Sequence, residues 1–233
     1  MCISKYVPME EEEASMPGDS FPNVNSVKYE LHIECPNEDT SELEEALKKT
    51  KHVNWDRILG ILLFPPLHAV ECIKGVVKDI GKEITKINLV NFYVLDRRTP
   101  LFDVDLLPGF TFQQLSQKHI EIADSTWPLR YPGSIFYFEL LIRANSGYGL
   151  FKDQELVSFG FIKETGALGH LYTLENQRRK GYGYMFLKMF CNVLLKEGRH
   201  INSYCFNTNA PACRMHEEFG FKKCGEIALV NIQ

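Results

Sequence analysis

The order of the predicted elements indicates an α/β (α+β) fold, in which a mixed central sheet is flanked by helices. Two helices, a strand meander, a long crossover helix and a strand–helix–strand unit follow one another in the second part of the chain. The chain has 233 residues, of which 45% are hydrophobic and 24% charged, so it can bury a full core. An N-terminal extension or small subdomain precedes this domain.

Residues 1–26 are acidic, with four glutamates at 10–13 and prolines at 8, 17 and 22. This composition predicts a mobile tail. The segment has neither the apolar centre of a signal peptide nor the arginines of a transit peptide. No apolar run is long enough to span a bilayer. We therefore expect a soluble, intracellular protein that is cytoplasmic or, alternatively, mitochondrial.

Residues 27–86 form the predicted N-terminal region, to which the sequence assigns no function. Alternating apolar side chains predict a strand over 27–34. Ser41, with Glu44 three residues later, is typical of a capping box and predicts a helix over 41–49. The segment 58–64 is apolar and ends at two prolines, and helical spacing of apolar residues follows over 67–80.

Residues 87–233 form the predicted main domain, and its elements follow from hydrophobic spacing and from glycine or proline punctuation. A strand over 89–95 precedes two helices, over 112–123 and 134–144. The remaining predicted elements are a hairpin over 148–151 and 155–162, a strand over 168–174, a long helix ending at Gly198, a strand over 201–206, a short helix from Pro211 to Phe219, and a strand over 227–232. The predicted apolar face of the long helix comprises Met185, Phe186, Met189, Phe190, Val193 and Leu194.

A basic, glycine-containing turn joins the strand over 168–174 to the long helix, and its sequence is R-R-K-G-Y-G. The N–H groups at the start of a helix attract anions. Gly181 and Gly183 allow the backbone to approach a ligand closely, and three basic residues add positive charge (Arg178, Arg179 and Lys180). Strand, basic glycine turn and helix together predict a site for a cofactor that carries a diphosphate.

Charge and cysteine content restrict the partners. The formal net charge is −4, so the basic turn is a local patch on an acidic protein and favours a small anion over nucleic acid. Seven cysteines without paired spacing predict reduced thiols. The spacing of Cys205, Cys213, His216 and Cys224 fits no common zinc site, and we expect no metal.

These features resemble the GNAT superfamily of acyl-CoA N-acyltransferases. The resemblance rests on the element order, the R-R-K-G-Y-G turn, Asn209 with Ala212, and the later Gly220-Phe221 pair. Within the superfamily, the L-Y-T-L-E-N-Q segment before the turn, His119, Trp127 and Ser134 resemble the glycine N-acyltransferase-like branch. The resemblance covers residues 88–233.

The resemblance implies that an acyl-CoA lies in a cleft where the parallel strands 168–174 and 201–206 part. Backbone N–H groups of the turn would bind the pyrophosphate, and backbone groups of the first strand would bind the pantetheine arm and polarise the thioester carbonyl. The implied cofactor-binding residues are Leu171, Tyr172, Thr173, Arg178, Arg179, Lys180, Gly181, Tyr182, Gly183 and Asn209.

The catalytic groups depart from the family pattern. The glutamate that many members carry on the central strand is replaced by Ala167, and Glu164 does not obviously fill the gap. His216 occupies the position of the usual tyrosine, so the resemblance implies either an acid that protonates the leaving thiolate or a helix-surface histidine. His170 is the second candidate for proton transfer, but by strand alternation it faces opposite to Ala167 and is expected to be packed.

The predicted function is transfer of an acyl group, acetyl or longer, from acyl-CoA to the amine of a small acceptor such as glycine or another amino acid. His119 and Trp127 are either packing residues or the border of the acceptor pocket. A catalytically weak or inactive acyl-CoA-binding module is the alternative, and Ala167 favours it. A protein N-acetyltransferase is a third alternative. The oligomeric state does not follow from the sequence.

Overall fold

The computed structural model describes residues 2–5, 28–64 and 66–233, which fall into two compact units. The first unit contains the described residues up to Asn91 together with 206–208 and 225–233. The second contains 92–205 and 209–224. Apart from 2–5, the predicted acidic tail lies outside the described residues, and the predicted boundaries at 26 and 86 stay predictions.

The first unit contains strands β1 (Cys2–Lys5), β2 (Tyr29–Glu34) and β3 (Ile58–Phe64), helices α1 (Ser41–Lys49) and α2 (Pro66–Asp79), and parts of the long strands β4 (Ile84–Leu95) and β10 (Lys222–Ile232). Here the strand order is β1-β2-β3-β10-β4. β2 is parallel to β3, and β1–β2 and β3–β10 are antiparallel pairs.

Helix α1 has the predicted bounds but not the predicted cap. The cap is Thr40, whose carbonyl oxygen accepts from the Glu44 N–H at 2.9 Å, and no side chain caps the helix. The Ser41 hydroxyl instead donates to Asp39 at 2.6 Å. The helix still forms because Leu43 and Leu47 are buried in the core of this unit. Such tertiary packing contributes more to the stability of a helix than a side-chain cap does.

The second unit contains the remainder of β4 and the elements β5 (Phe110–Gln114), α3 (Ile120–Ser125), α4 (Ile135–Arg143), β6 (Gly147–Lys152), β7 (Glu155–Ile162), β8 (Ala167–Thr173), α5 (Tyr182–Lys196), β9 (Ile201–Phe206) and α6 (Ala210–Glu218). Its strand order is β4-β9-β8-β7-β6-β5. Strands β5 to β8 are antiparallel, and β8 is parallel to β9. The predicted α/β class, with helices flanking a mixed sheet, is confirmed.

The helix predicted over 112–123 is wrong in its first half. Residues 110–114 form β5, in which Phe112 pairs with Leu150 of β6, and a short 3₁₀ turn leads into α3. The apolar spacing continued into the true helix from Ile120 onward, so strand and helix merged into one helical pattern. Pairing with β6 and the stacking of Phe112 on Tyr148, with ring centres 5.5 Å apart, stabilise the strand conformation.

Helix α5 buries a stripe that differs from the predicted one. The fully buried residues are Phe186, Leu187, Phe190, Cys191, Leu194 and Leu195. Met185, Met189 and Val193, which were predicted to share this face, are only partly buried. The apolar run is wide enough to fit either stripe, and packing on the sheet selects one. No helix in the described part of the chain has the length and apolarity to cross a membrane.

Candidate functional site

Strands β8 and β9 part soon after they meet. Their parallel pairing comprises Ala167 with Asn202 and Leu168 with Ser203, and no further pair joins them in the described chain. On its other edge, β8 stays paired with β7 as far as Thr173. The edge of residues 169–173 that faces β9 is therefore open, and peptide groups there can hydrogen-bond a ligand that lies between the strands.

A β-bulge lies where the strands part. Phe159 pairs with Tyr172 and Phe161 with Gly169, so two residues of β8, His170 and Leu171, oppose Gly160 alone. His170 has a φ of 49°, in the left-handed region that non-glycine residues seldom adopt. Bulges twist a strand and re-aim its side chains, and they are frequent beside functional sites. This bulge lies just beyond the last pair that joins β8 to β9.

The basic turn presents unpaired backbone N–H groups. Arg179 has a φ of 61° and Gly181 a φ of 80°, and such alternation of handedness aims successive N–H groups into one concavity. The N–H groups of 179–183 donate to no backbone acceptor in the part of the chain that the structure describes. A Cβ on Gly181 would meet nothing within 4 Å. The turn is thus an open, electropositive concavity at the N-terminus of α5.

The basic side chains hold the turn in this shape. The Arg178 Nε donates to the Thr173 carbonyl at 3.1 Å, and its guanidinium lies 5.1 Å from the centre of the Tyr172 ring. The Lys180 ammonium donates to the Asn176 carbonyl oxygen at 2.9 Å and also to Gln177. These residues link the turn to the end of β8, and their charge stays beside the concavity. The sequence predicted only that Arg178 and Lys180 add positive charge; their hydrogen bonds within the turn are an additional finding.

Asn209 begins α6 close to the end of β9. Its side-chain oxygen accepts from the Ala212 N–H at 3.3 Å and so caps the helix. The residue is exposed. Tyr184, in the first turn of α5, is also exposed and donates to Glu218 at 2.5 Å. The cap accounts for Asn209, since an asparagine oxygen satisfies a free N–H of the first turn.

His216 is buried in the core, not on the surface of α6. Its Nδ1 lies 2.8 Å from the Ala212 carbonyl oxygen and its Nε2 2.8 Å from the Ser203 hydroxyl. Since a carbonyl only accepts, Nδ1 carries the proton and Nε2 accepts from Ser203. The ring stacks on Tyr93 at 5.0 Å, and burial lowers the pKa of His216. Both nitrogens are engaged, and the ring is neutral at pH 7.

No carboxylate stands at the position of the missing glutamate. Ala167 is buried, and Glu164, in the turn before β8, accepts from the Tyr137 hydroxyl at 2.9 Å. Tyr137 stacks in turn on Trp127 at 5.5 Å. His119 lies elsewhere, against Phe151, and its Nδ1 accepts from the Ser116 N–H at 3.0 Å. The structure brings Glu164 and Trp127 together through Tyr137 but does not bring His119 to them.

The structure also adds residues that the sequence did not single out. Ser203 and Tyr93 surround His216, and no sequence pattern marks them because their contacts join β9, β4 and α6. The sulfur atoms of Cys205 and Cys213 lie 3.5 Å apart and are not joined by a disulfide bond. Among the described residues, no group of three or more potential metal ligands occurs.

Comparisons with known proteins agree on the fold. Residues 147–229 match the model of the family described as FR47-like protein. A search of curated proteins gave no significant match. A protein from Drosophila is 21% identical with a TM-score of 0.75, and the match covers 88% of this chain and 71% of that one.

Two further solved structures carry an activity in their names. An acetyltransferase of the GNAT family from Colwellia psychrerythraea is 13% identical, with a TM-score of 0.53 and coverage of 82% and 72%. A GCN5-related N-acetyltransferase from Kribbella flavida is 14% identical, with a TM-score of 0.52 and coverage of 87% and 81%. At these identities the likeness shows that the chain has a GNAT-like fold.

Proposed function

We propose that this protein is an N-acyltransferase that moves an acyl group, acetyl or longer, from acyl-CoA to the amine of a small acceptor such as glycine or another amino acid. One observation carries the proposal. The open edge of β8 leads directly into a turn whose N–H groups converge without backbone partners in the described chain. An extended ligand that ends in a diphosphate is complementary to this arrangement.

In this proposal each part of the cofactor has its own partner. The N–H groups of Arg179, Lys180, Gly181, Tyr182 and Gly183 bind the pyrophosphate, and Arg178 and Lys180 contribute charge and hold the turn. Backbone groups of Leu171, Tyr172 and Thr173 bind the pantetheine arm along the open edge. One of their N–H groups stabilises the oxyanion that forms at the thioester carbonyl. Asn209 contacts the same arm.

The reaction is a direct attack on the thioester. The amine nitrogen forms a bond to the carbonyl carbon, an oxyanion develops, and the C–S bond then breaks to release the CoA thiolate. The nitrogen must lose a proton and the sulfur must gain one. We assign the second step to His216, at the position of the family's usual tyrosine. The ring is neutral and both of its nitrogens are engaged in the structure, so it must first bind a proton at Nε2, in place of the hydrogen bond from Ser203, and then give a proton to the sulfur.

The comparisons support this proposal in general terms. Proteins with a similar fold are named acetyltransferases, and the family model matches residues 147–229, which include β8, the turn and α6. The choice of glycine or a similar acceptor rests on the resemblance of the segment 171–183 to one branch of the superfamily. We also propose an intracellular location, because acyl-CoA is an intracellular metabolite and the seven cysteines of the sequence lack paired spacing.

An acyl-CoA-binding module without activity is the second candidate. Ala167 favours it because no carboxylate replaces the missing glutamate on β8. However, positioned acids and bases contribute about 10²–10⁴-fold, so proximity and oxyanion stabilisation can sustain transfer without a carboxylate. The two candidates predict the same cofactor binding. They differ in whether an acceptor causes the release of CoA thiol.

Gly181→Glu tests the binding site. The new carboxylate would stand in the concavity and repel the pyrophosphate, so we expect acyl-CoA affinity, measured by calorimetry, to fall at least about tenfold. Gly198→Glu is the matched control, because Gly198 also has a positive φ of 70° and open space, but lies beyond the other end of α5. Equal affinities for the two variants would place the cofactor elsewhere.

A further inference from the structure

We propose that His170 accepts the proton that the attacking amine loses, in place of the carboxylate that is absent at Ala167. The inference rests on the proposed acyl transfer. His170 is the bulge residue of β8 and lies just beyond the last pair between β8 and β9. It therefore borders the segment 171–173, where the proposed thioester carbonyl lies.

Contacts with α3 determine which ring nitrogen carries the proton. The Nε2 of His170 lies 2.9 Å from the Ala123 carbonyl oxygen and 3.2 Å from the Thr126 Oγ1. The carbonyl can only accept, and the Thr126 hydroxyl donates its own hydrogen to the Ile122 carbonyl at 2.7 Å. Nε2 is therefore the N–H donor. In a neutral imidazole this leaves the lone pair on Nδ1.

The surroundings keep the ring neutral. Phe138 of α4 and Phe159 of β7 lie 5.3 Å from the His170 ring, and Phe161 and Tyr172 lie slightly farther away. Burial among these rings lowers the pKa of His170 to about 4. From α3, Asp124 acts in the opposite direction, but its charge is paired with Arg130 at 2.8 Å. The Nδ1 lone pair is thus available throughout the physiological pH range.

The backbone of His170 is held in a strained conformation. A positive φ is energetically unfavourable for a non-glycine residue, and such residues cluster at active sites and ligand clamps. Here the Ala123 carbonyl oxygen and the phenylalanine rings hold the imidazole beside the bulge.

The proton balance of the step is complete. The amine nitrogen bonds to the thioester carbon, and one N–H proton passes to His170 Nδ1, which gives an imidazolium beside the oxyanion. The negative oxyanion raises the proton affinity of the ring at that moment. Collapse of the oxyanion breaks the C–S bond. The thiolate leaves and takes up a proton from protonated His216, which forms CoA thiol. The His170 imidazolium releases its proton to solvent, from which His216 is protonated again.

The test uses His170→Gln in the full-length protein. The glutamine amide can still donate to the Ala123 carbonyl, but the ring Nδ1 is gone. We expect acceptor-dependent kcat at pH 7 to fall about 100-fold or more, with acyl-CoA affinity changed less than about threefold. The deficit should shrink as pH rises to 9.5, because hydroxide then removes the proton. His32→Gln, a histidine of β2 in the first unit that is 14% exposed, is the control and should keep kcat.

The outcomes separate this inference from the proposed function. A His170→Gln enzyme as fast as the parent, or one whose deficit is the same at every pH, would overturn the role of His170 alone. Absence of release from the parent with every acceptor would overturn both. Nitrogen-15 NMR, with the signal assigned by its loss in His170→Gln, should show a neutral Nε2–H ring at pH 7. An Nδ1–H tautomer or an imidazolium there would overturn the inference regardless of turnover.

Discussion

At the scale of single residues, the second unit depends on histidines that are buried without charge. His119, His170 and His216 each engage a backbone group, and burial lowers the pKa of all three. A neutral histidine can accept one hydrogen bond and donate another, so each ring has a defined tautomer in the structure. In its tautomer, His216 links α6 to β9 by hydrogen bonds with Ala212 and Ser203. In its tautomer, His170 carries a lone pair on Nδ1.

The lowered pKa of His170 makes the free energy of unfolding depend on pH. The pKa of His170 is about 4 in the folded protein and 6.5 in the unfolded chain, so the unfolded state binds more protons between these values. The stabilisation is complete above pH 6.5 and is lost as pH falls toward 4, by about 3 kcal/mol. Urea unfolding at pH 7.5 and 4.5 measures it. His170→Phe should lose less stability over this interval than the parent, and an equal loss would contradict the assignment.

The sequence located some of these residues but not their state. His170 was correctly predicted to be packed, whereas strand alternation could not reveal the bulge, because an inserted residue leaves no mark on local periodicity. His216 was identified from its place before Gly220, yet its contacts with Ser203 and Tyr93 join distant segments. Single-residue chemistry of this kind depends on tertiary contacts, which spacing along one element does not encode.

At the scale of elements, hydrophobic spacing found most helices and strands because each buries one regular face. The hairpin of β6 and β7, the crossover helix α5 and the helix α6 all occur where the spacing predicted them. The helix prediction for 112–123 failed because Phe112 of the strand and Leu115 continued the apolar pattern of the helix that follows. Pairing with β6 then decided the outcome, as tertiary context often does for short segments.

Glycines in two different elements predict opposite responses to alanine. In β6, a Cβ on Gly149 would stand 2.8 Å from Leu115, Leu156 and Phe151, so Gly149→Ala should destabilise by about 1–3 kcal/mol. In α2, a Cβ on Gly75 meets nothing within 4 Å, so Gly75→Ala should stabilise by about 0.5–1 kcal/mol. Urea unfolding measures both. Changes of the same sign would contradict the packing described for one of these elements.

At the scale of the whole molecule, every residue of the proposed site lies in the second unit. The sequence predicted the turn because its chemistry is local: three basic residues and two glycines stand between a strand and a helix. The open edge of β8 could not be derived from spacing, since it depends on where pairing with β9 ends. The first unit has its own core of α1, α2 and sheet residues, and no function is assigned to it.

Release of CoA thiol from acetyl-, benzoyl- and longer acyl-CoAs by the purified protein distinguishes an acyltransferase from a binding module. Each is mixed with a panel of amino acids and small amines and with no acceptor. We expect the release of CoA thiol to depend on one class of acceptor and to equal the amount of N-acylated product formed. Tight binding of acyl-CoA without release of CoA thiol for any acceptor would contradict the proposed acyltransferase activity and favour an acyl-CoA-binding module.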